Sequence, residues 1–122
     1  MTINDFLQKY RRVEHGMNVT RPRVKCADGY TVSVQAGWGI YSTPREDAGG
    51  YKAVELGFPS ALDPEIAAYA EAPGTTDTVF AFVPVELVDK LLEKHGGIVG
   101  ADFSNDSAGK WAEDITGEAD NT

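Results

Sequence analysis

Within positions 37–47 the chain reads GWGIYSTPRED. Trp38, Tyr41 and Arg45 are residue types that concentrate binding energy at interfaces. Flat rings bury a large area for little lost entropy, and a guanidinium forks onto carboxylate or phosphate. Glu46 and Asp47 set two acids beside them. Gly37 and Gly39 let the backbone turn sharply at Trp38, and Pro44 favours an extended residue before it. The stretch is therefore expected to be ordered, with Tyr41 and Arg45 presented from extended backbone. Two readings fit these residue types equally: a recognition loop, or a structural lid over the open edge of a sheet.

Other chemistry is sparse. Gly37-Trp38-Gly39 lacks the further glycine and the following helix of a phosphate-cradling loop. His15 and His95 fall at or near helix ends without metal-ligand spacing and read as surface imidazoles. Ser33, Ser42 and Ser60 have no nucleophile-elbow context. Cys26 shares a strand face with Val24 and reads as a small buried hydrophobe. Being the sole cysteine, it excludes a disulfide within the chain. No catalytic residue, metal or cofactor is expected.

The elements that must position the 37–47 stretch are legible on either side of it. Thr2 and Asp5 form a capping-box-like start, and Phe6, Leu7, Tyr10 and Val13 recur at helical spacing up to His15-Gly16. RPRVKCADGYTVSVQAG then predicts a hairpin about a two-residue Asp28-Gly29 turn. Val24 and Cys26 share one face of its first strand, and Val32, Val34 and Ala36 one face of its second. YKAVELGFPS predicts a third strand with Val54, Leu56 and Phe58 on one face. Asp63-Pro64 caps and opens a short helix. Thr78 to Val83, dense in β-branched and aromatic residues, predicts a central strand. Pro84 opens a last helix with Val85, Val88, Leu91 and Leu92 as its buried stripe, ended by Gly96. The expected fold is α+β, in the order α-β-β-β-α-β-α, with an antiparallel sheet of about four strands and helices on one face.

With 122 residues, 42% hydrophobic and 10% aromatic, the chain suits one domain with a real core. The expected domain is 1–98, followed by an acidic tail over 99–122 whose Asp, Asn, Ser and Gly content argues for disorder. Phe103, Trp111 and Ile115 are the tail's apolar exceptions. No stretch has the roughly 18 to 20 apolar residues of a membrane span. MTINDFLQKYRR lacks the apolar core of a secretory signal, so a cytoplasmic protein is expected. The formal charge of −8 is uneven: residues 1–25 carry +4, residues 26–98 carry −7 and residues 99–122 carry −5. Arg11, Arg12, Arg21, Arg23 and Lys25 form a basic patch, with Arg21 and Arg23 as candidate binding residues. The overall negative charge opposes long-range attraction to nucleic acid.

The series DGYTVSVQAG, YSTPRED, YKAVELGFPS and VFAFVPVELVDKLLEKHGG, over roughly residues 20–98, resembles a family of small uncharacterised proteins of bacteriophages, prophages and related mobile elements. The resemblance implies a setting in the host cytoplasm, where small phage proteins commonly bind and block host machinery, CRISPR effectors included. The leading expectation is a non-enzymatic, anti-CRISPR-like protein, its oligomeric state open and a homodimer among the options. It would bind a host defence component through its acidic surface and the Trp38/Tyr41/Arg45 loop, imitating the charge of nucleic acid. One alternative is a sponge for a nucleotide immune signal, with rings stacking the base and Arg45, Arg21 or Arg23 holding phosphate. Another is a phage structural or regulatory domain.

Overall fold

The computed structural model describes residues 1–14 and 18–104, with the backbone alone for Glu14 and Asn18. Helix α1 spans Ile3–Lys9, and its capping box is complete: the Asp5 N–H donates to Thr2 Oγ1 and the Thr2 N–H to Asp5 Oδ2. Ile3, Phe6 and Leu7 are its buried face. The helix stops six residues short of the expected position. Val13 lies instead in strand β1 (Arg12–Glu14), paired antiparallel with β2 (Asn18–Thr20). Half exposed, Val13 has no core contact to hold a further helical turn, and a β-branched residue suits the ribbon better. The expected stop at His15-Gly16 lies outside the described residues.

Strands β3 (Arg23–Cys26), β4 (Thr31–Gln35), β5 (Ala53–Gly57), β6 (Val79–Pro84) and β7 (Ile98–Asp102) form one sheet in the order β6-β5-β4-β3-β7. Every neighbouring pair is antiparallel. The protein is thus α+β, with five strands in the main sheet instead of about four and a separate two-stranded ribbon. Helix α2 (Val85–Lys94) carries the chain from the β6 edge to the β7 edge. The strand expected at the centre, β6, is an edge. Part of its outer side is covered by the Ala70–Phe80 bridge and by the Glu71 N–H donating to the Val79 carbonyl. Ordered chain also continues past residue 98, because the free side of β3 pairs with β7, and the Phe103 ring meets Tyr10 edge-on. Trp111 and Ile115 lie outside the described residues.

Strand alternation sorts the two faces of the sheet. Val24, Cys26, Val32, Val34, Val54 and Leu56 are buried against Phe6, Leu7, Ile66, Val88, Leu91 and Leu92. Arg23, Lys25, Thr31, Ser33, Gln35 and Glu55 occupy the other face. The hairpin turn holds three residues, 27–29, not two: Cys26 and Tyr30 close it, and Gly29 sits at φ 96°. Pro64–Tyr69 is a 3₁₀ helix, and Asp63 does not cap it, since its carboxylate is taken by Lys94 and His95. Past α2 the Gly96 N–H bonds the Glu93 carbonyl and the Gly97 N–H the Leu92 carbonyl, the Schellman pattern. Gly96 is required twice over, by its φ of 94° and because a Cβ there would lie 2.8 Å from that of Ala27. No helix among the described residues is long and apolar enough to cross a membrane.

Arg21 ties the helical layer to the sheet. Only 4% exposed, it donates from Nε to the Leu7 carbonyl at 2.8 Å and from Nη1 to the Ala36 carbonyl at 2.9 Å. The Leu7 carbonyl belongs to the last turn of α1, which has no intrahelical donor for it. Arg21→Ala would leave two carbonyls without these donors and open a cavity, so a loss of about 2–4 kcal/mol is expected from denaturant unfolding. Arg11→Ala removes a half-exposed ion pair with Asp47, so a loss of at most about 1 kcal/mol is expected. Equal effects in the two variants would refute the role given to Arg21.

Candidate functional site

The 37–47 stretch is held by its own hydrogen bonds. Ser42 is fully buried at the centre: its Oγ accepts from the Gly37 N–H and donates to the Pro44 carbonyl. The Ile40 N–H bonds the Gly37 carbonyl, and Thr43 pairs with Ala53, so the loop continues the sheet beside β5 past the end of β4. The Thr43–Pro44 peptide is cis. Arg45 is not presented from an extended segment: its Nε donates back to the Ile40 carbonyl and its guanidinium lies 5.2 Å over the Tyr41 ring. Outside the loop, Tyr51 and α1 hold the segment that follows. The Tyr51 hydroxyl donates to the Glu46 carbonyl and accepts from the Ala48 N–H. Asn4 bonds the Tyr51 backbone in both directions, and Gln8 Nε2 donates to the Ala48 carbonyl.

Tyr41 crosses over β5 on the polar side of the sheet. Its N–H reaches Glu55 Oε2, and its carbonyl accepts from the Phe82 N–H on β6. Opposite Glu55 the register of β6 slips, so that Phe80 and Val83 pair with Leu56 and Val54 and leave two residues between them. Phe82 sits in this bulge at φ 52°, a left-handed conformation that a bulky residue rarely takes. Its ring is turned out, 42% exposed, and meets Tyr41 with centroids 5.7 Å apart. Arg45, Tyr41 and Phe82 therefore form a continuous exposed stack, and Trp38, three residues before Tyr41 in the chain, is 56% exposed. Phe58, expected on the buried face, is likewise turned out at φ 49° and half exposed.

The other candidate residues have partners of their own. Asp47 is engaged by Arg11 through both carboxylate oxygens. Glu46 is exposed and contributes its backbone carbonyl to Tyr51. Arg21 is buried, and burial pulls its pKa down against the support of Tyr51. Arg23 lies on the polar sheet face beside Asp102 and donates to Thr31 Oγ1 and the Phe58 carbonyl. Arg11 and Asp47 lie near enough to Arg21 to act on its charge, Arg11 against it and Asp47 in its favour. Cys26 is 1% exposed, and burial pushes its thiol up to about 11, so it is no thiolate nucleophile at neutral pH.

His95 is not a surface imidazole. It stacks flat on the buried Tyr30 ring, with centroids 3.8 Å apart. Its Nδ1 meets Asp28 Oδ2 at 2.7 Å and its Nε2 meets Asp63 Oδ2 at 3.2 Å. Lys94 Nζ bonds Asp63 and Glu65 beside it. This clamp joins the hairpin turn, the start of the 3₁₀ helix and the end of α2. Among the described residues no group of three or more His, Cys, Asp or Glu could hold a metal ion. Comparison with protein-family models, curated proteins and solved structures finds no match.

The clamp sets a pH window. Burial opposes charge on His95, but its bonds to Asp28 and Asp63 win and raise its pKa above the ordinary 6.5. The bond to His95 lowers Asp28, and Lys94 and His95 together lower Asp63 against the cost of its burial. The His95 contribution is complete below about pH 6.5 and fades as pH rises through the raised value. Those of the carboxylates are complete above about pH 4 and fade as pH falls through the lowered values. Thermal stability should therefore peak between these limits, and His95→Gln should flatten its decline from about pH 6 to about pH 9. An unchanged decline would place the pH dependence elsewhere.

Proposed function

We propose that the protein is a non-enzymatic binding protein that engages a host protein through the Arg45–Tyr41–Phe82 stack with Trp38. In the setting its phage-like motifs suggest, the partner is a defence component such as a CRISPR effector. The observation that carries this reading is the stack itself. Aromatic and guanidinium groups are held exposed by a hydrogen-bonded loop and a strained bulge, with no core contact to explain their exposure. Binding surfaces gain from such preorganisation because little motion remains to be frozen on contact. The formal charge of −8 adds complementarity to a basic nucleic-acid channel on such an effector. A nucleotide sponge would need Arg45 together with Arg21 or Arg23 about one phosphate. Arg21 is buried and Arg23 is bonded at Thr31 and Phe58, which weakens that reading.

The test is co-elution of the full chain with purified RNA-guided effectors, alongside interference assays in cells. Tyr41→Ala and Phe82→Ala should each weaken a detected complex by roughly tenfold or more with little change in Tm. Phe82→Gly should separate binding from stability. It removes about 1–2 kcal/mol of left-handed backbone cost, offset in part by the entropy glycine adds to the unfolded chain. Its Tm should hold or rise while binding is lost. Absence of any co-elution and of any loss of interference would exclude the defence target, and full binding by Phe82→Gly would exclude the stack.

A further inference from the structure

We propose a second binding site, a cavity beside the 3₁₀ helix that accepts one bulky apolar side chain from a cationic segment of a partner protein. The cavity holds about 260 Å³, and Leu62, Ala67, Ala70 and Phe80 give it apolar walls, with Thr75 and Asp63 among its other lining residues. That volume falls below the roughly 300–1,000 Å³ of pockets that enclose whole ligands, and it suits a single Leu, Phe or Trp side chain. Leu62, at its wall, is 56% exposed, an apolar surface left uncovered by the domain itself.

Charge selects the segment that would carry the side chain. From residue 53 to residue 89 the sequence contains seven acids and no Lys or Arg. Glu71 follows the lining residue Ala70, and Asp77 is drawn to Thr75 through its N–H and the Thr75 hydroxyl. Both acids are exposed. The Asp63 carboxylate is already engaged by Lys94 and His95, and Glu65 by Lys94, so the charge left to attract a partner is that of Glu71 and Asp77. Lys94, the cation beside the site, is held by these two acids. An apolar hole with two exposed acids within two residues of its lining residues Ala70 and Thr75 favours Arg or Lys flanking the inserted side chain and disfavours acidic peptides and nucleic acid. This site is separate from the Arg45–Tyr41–Phe82 stack and stands whether or not that surface binds.

The test uses the isotopically labelled full chain titrated with three amidated peptides, Arg-Arg-Trp-Arg-Arg, Arg-Arg-Ala-Arg-Arg and Glu-Glu-Trp-Glu-Glu. The first should shift the amide signals of Ala67, Ala70, Gly74 and Thr75 and weaken as salt rises. The alanine peptide should bind roughly tenfold more weakly, and the acidic peptide should not bind. Ala67→Leu, at an exposed lining position, should fill the cavity and lower the affinity of the first peptide about tenfold or more. Glu71→Gln with Asp77→Asn, surface changes that spare the core, should lower it several-fold while keeping the preference for Trp over Ala. Equal binding of the Trp and Ala peptides, shifts confined to other residues, or unchanged affinity in both variants would overturn the proposal. So would concentration-dependent dimerisation abolished by Ala67→Leu, which would assign the cavity to a second copy of the chain.

Discussion

The architecture depends on the burial of one cation. Arg21 lies at the start of the sheet-forming chain, yet its guanidinium passes under α1 to the Leu7 carbonyl and on to the Ala36 carbonyl at the end of β4. Dehydrating a guanidinium is costly, and among the described residues no carboxylate is hydrogen-bonded to it, although Asp47 lies near enough to favour its charge. What offsets the cost is geometric. A planar fork satisfies two carbonyls in different elements at once, one of which the short helix cannot satisfy itself. The bond to Ala36 also fixes where β4 ends, and therefore the point from which the 37–47 loop departs.

That point of departure explains why the loop is rigid although it has little regular structure. The chain leaves β4 and turns about the buried Ser42 hydroxyl. It rejoins the sheet at Ala53 and is pinned on the way to α1 by Asn4 and Gln8, and to the chain just beyond it by Arg11. None of these bonds uses the Trp38 or Tyr41 ring or the Arg45 guanidinium. Ordering is thus achieved by other groups, and the exposed rings are left as contact area. The left-handed Phe82 follows the same logic from the opposite strand. Regular β6 would turn its ring to the core face with Phe80, and the bulge turns it to solvent beside Tyr41.

Much of the scaffold was legible because it rests on periodicity. The stripe of α2, the capping box of Thr2 and Asp5, and the alternation of Val24, Cys26, Val32 and Val34 all appear where spacing places them. Misreadings arise where a long-range partner overrides a local preference. Asp63 has the sequence of a cap, but Lys94 and His95, thirty-one and thirty-two residues away, take its carboxylate. TVFAFV has the composition of a central strand yet forms an edge, because composition records β preference and not sheet order. β7 (Ile98–Asp102) runs across the expected boundary at residue 98 and pairs because β3 offers a free side. In the candidate site, Tyr41 and Arg45 were readable as residue types. Phe82, Glu55 and the buried Ser42 were not, since they meet that pair only through the bulge and the loop's fold-back.

The same long-range pairing alters what the net charge means. Arg11 is matched with Asp47, Arg21 is buried, and Lys94 and His95 are enclosed by Asp28, Asp63 and Glu65. These cations are thereby paired or buried, while Glu71 and Asp77 are exposed on a stretch without a basic residue between positions 53 and 89. Near the 3₁₀ helix the surface is therefore acidic in a way that a formal sum spread over the whole chain does not convey. Such a field would draw a basic partner toward that edge before any contact forms, and short-range fit at the apolar surfaces would then decide which partner stays.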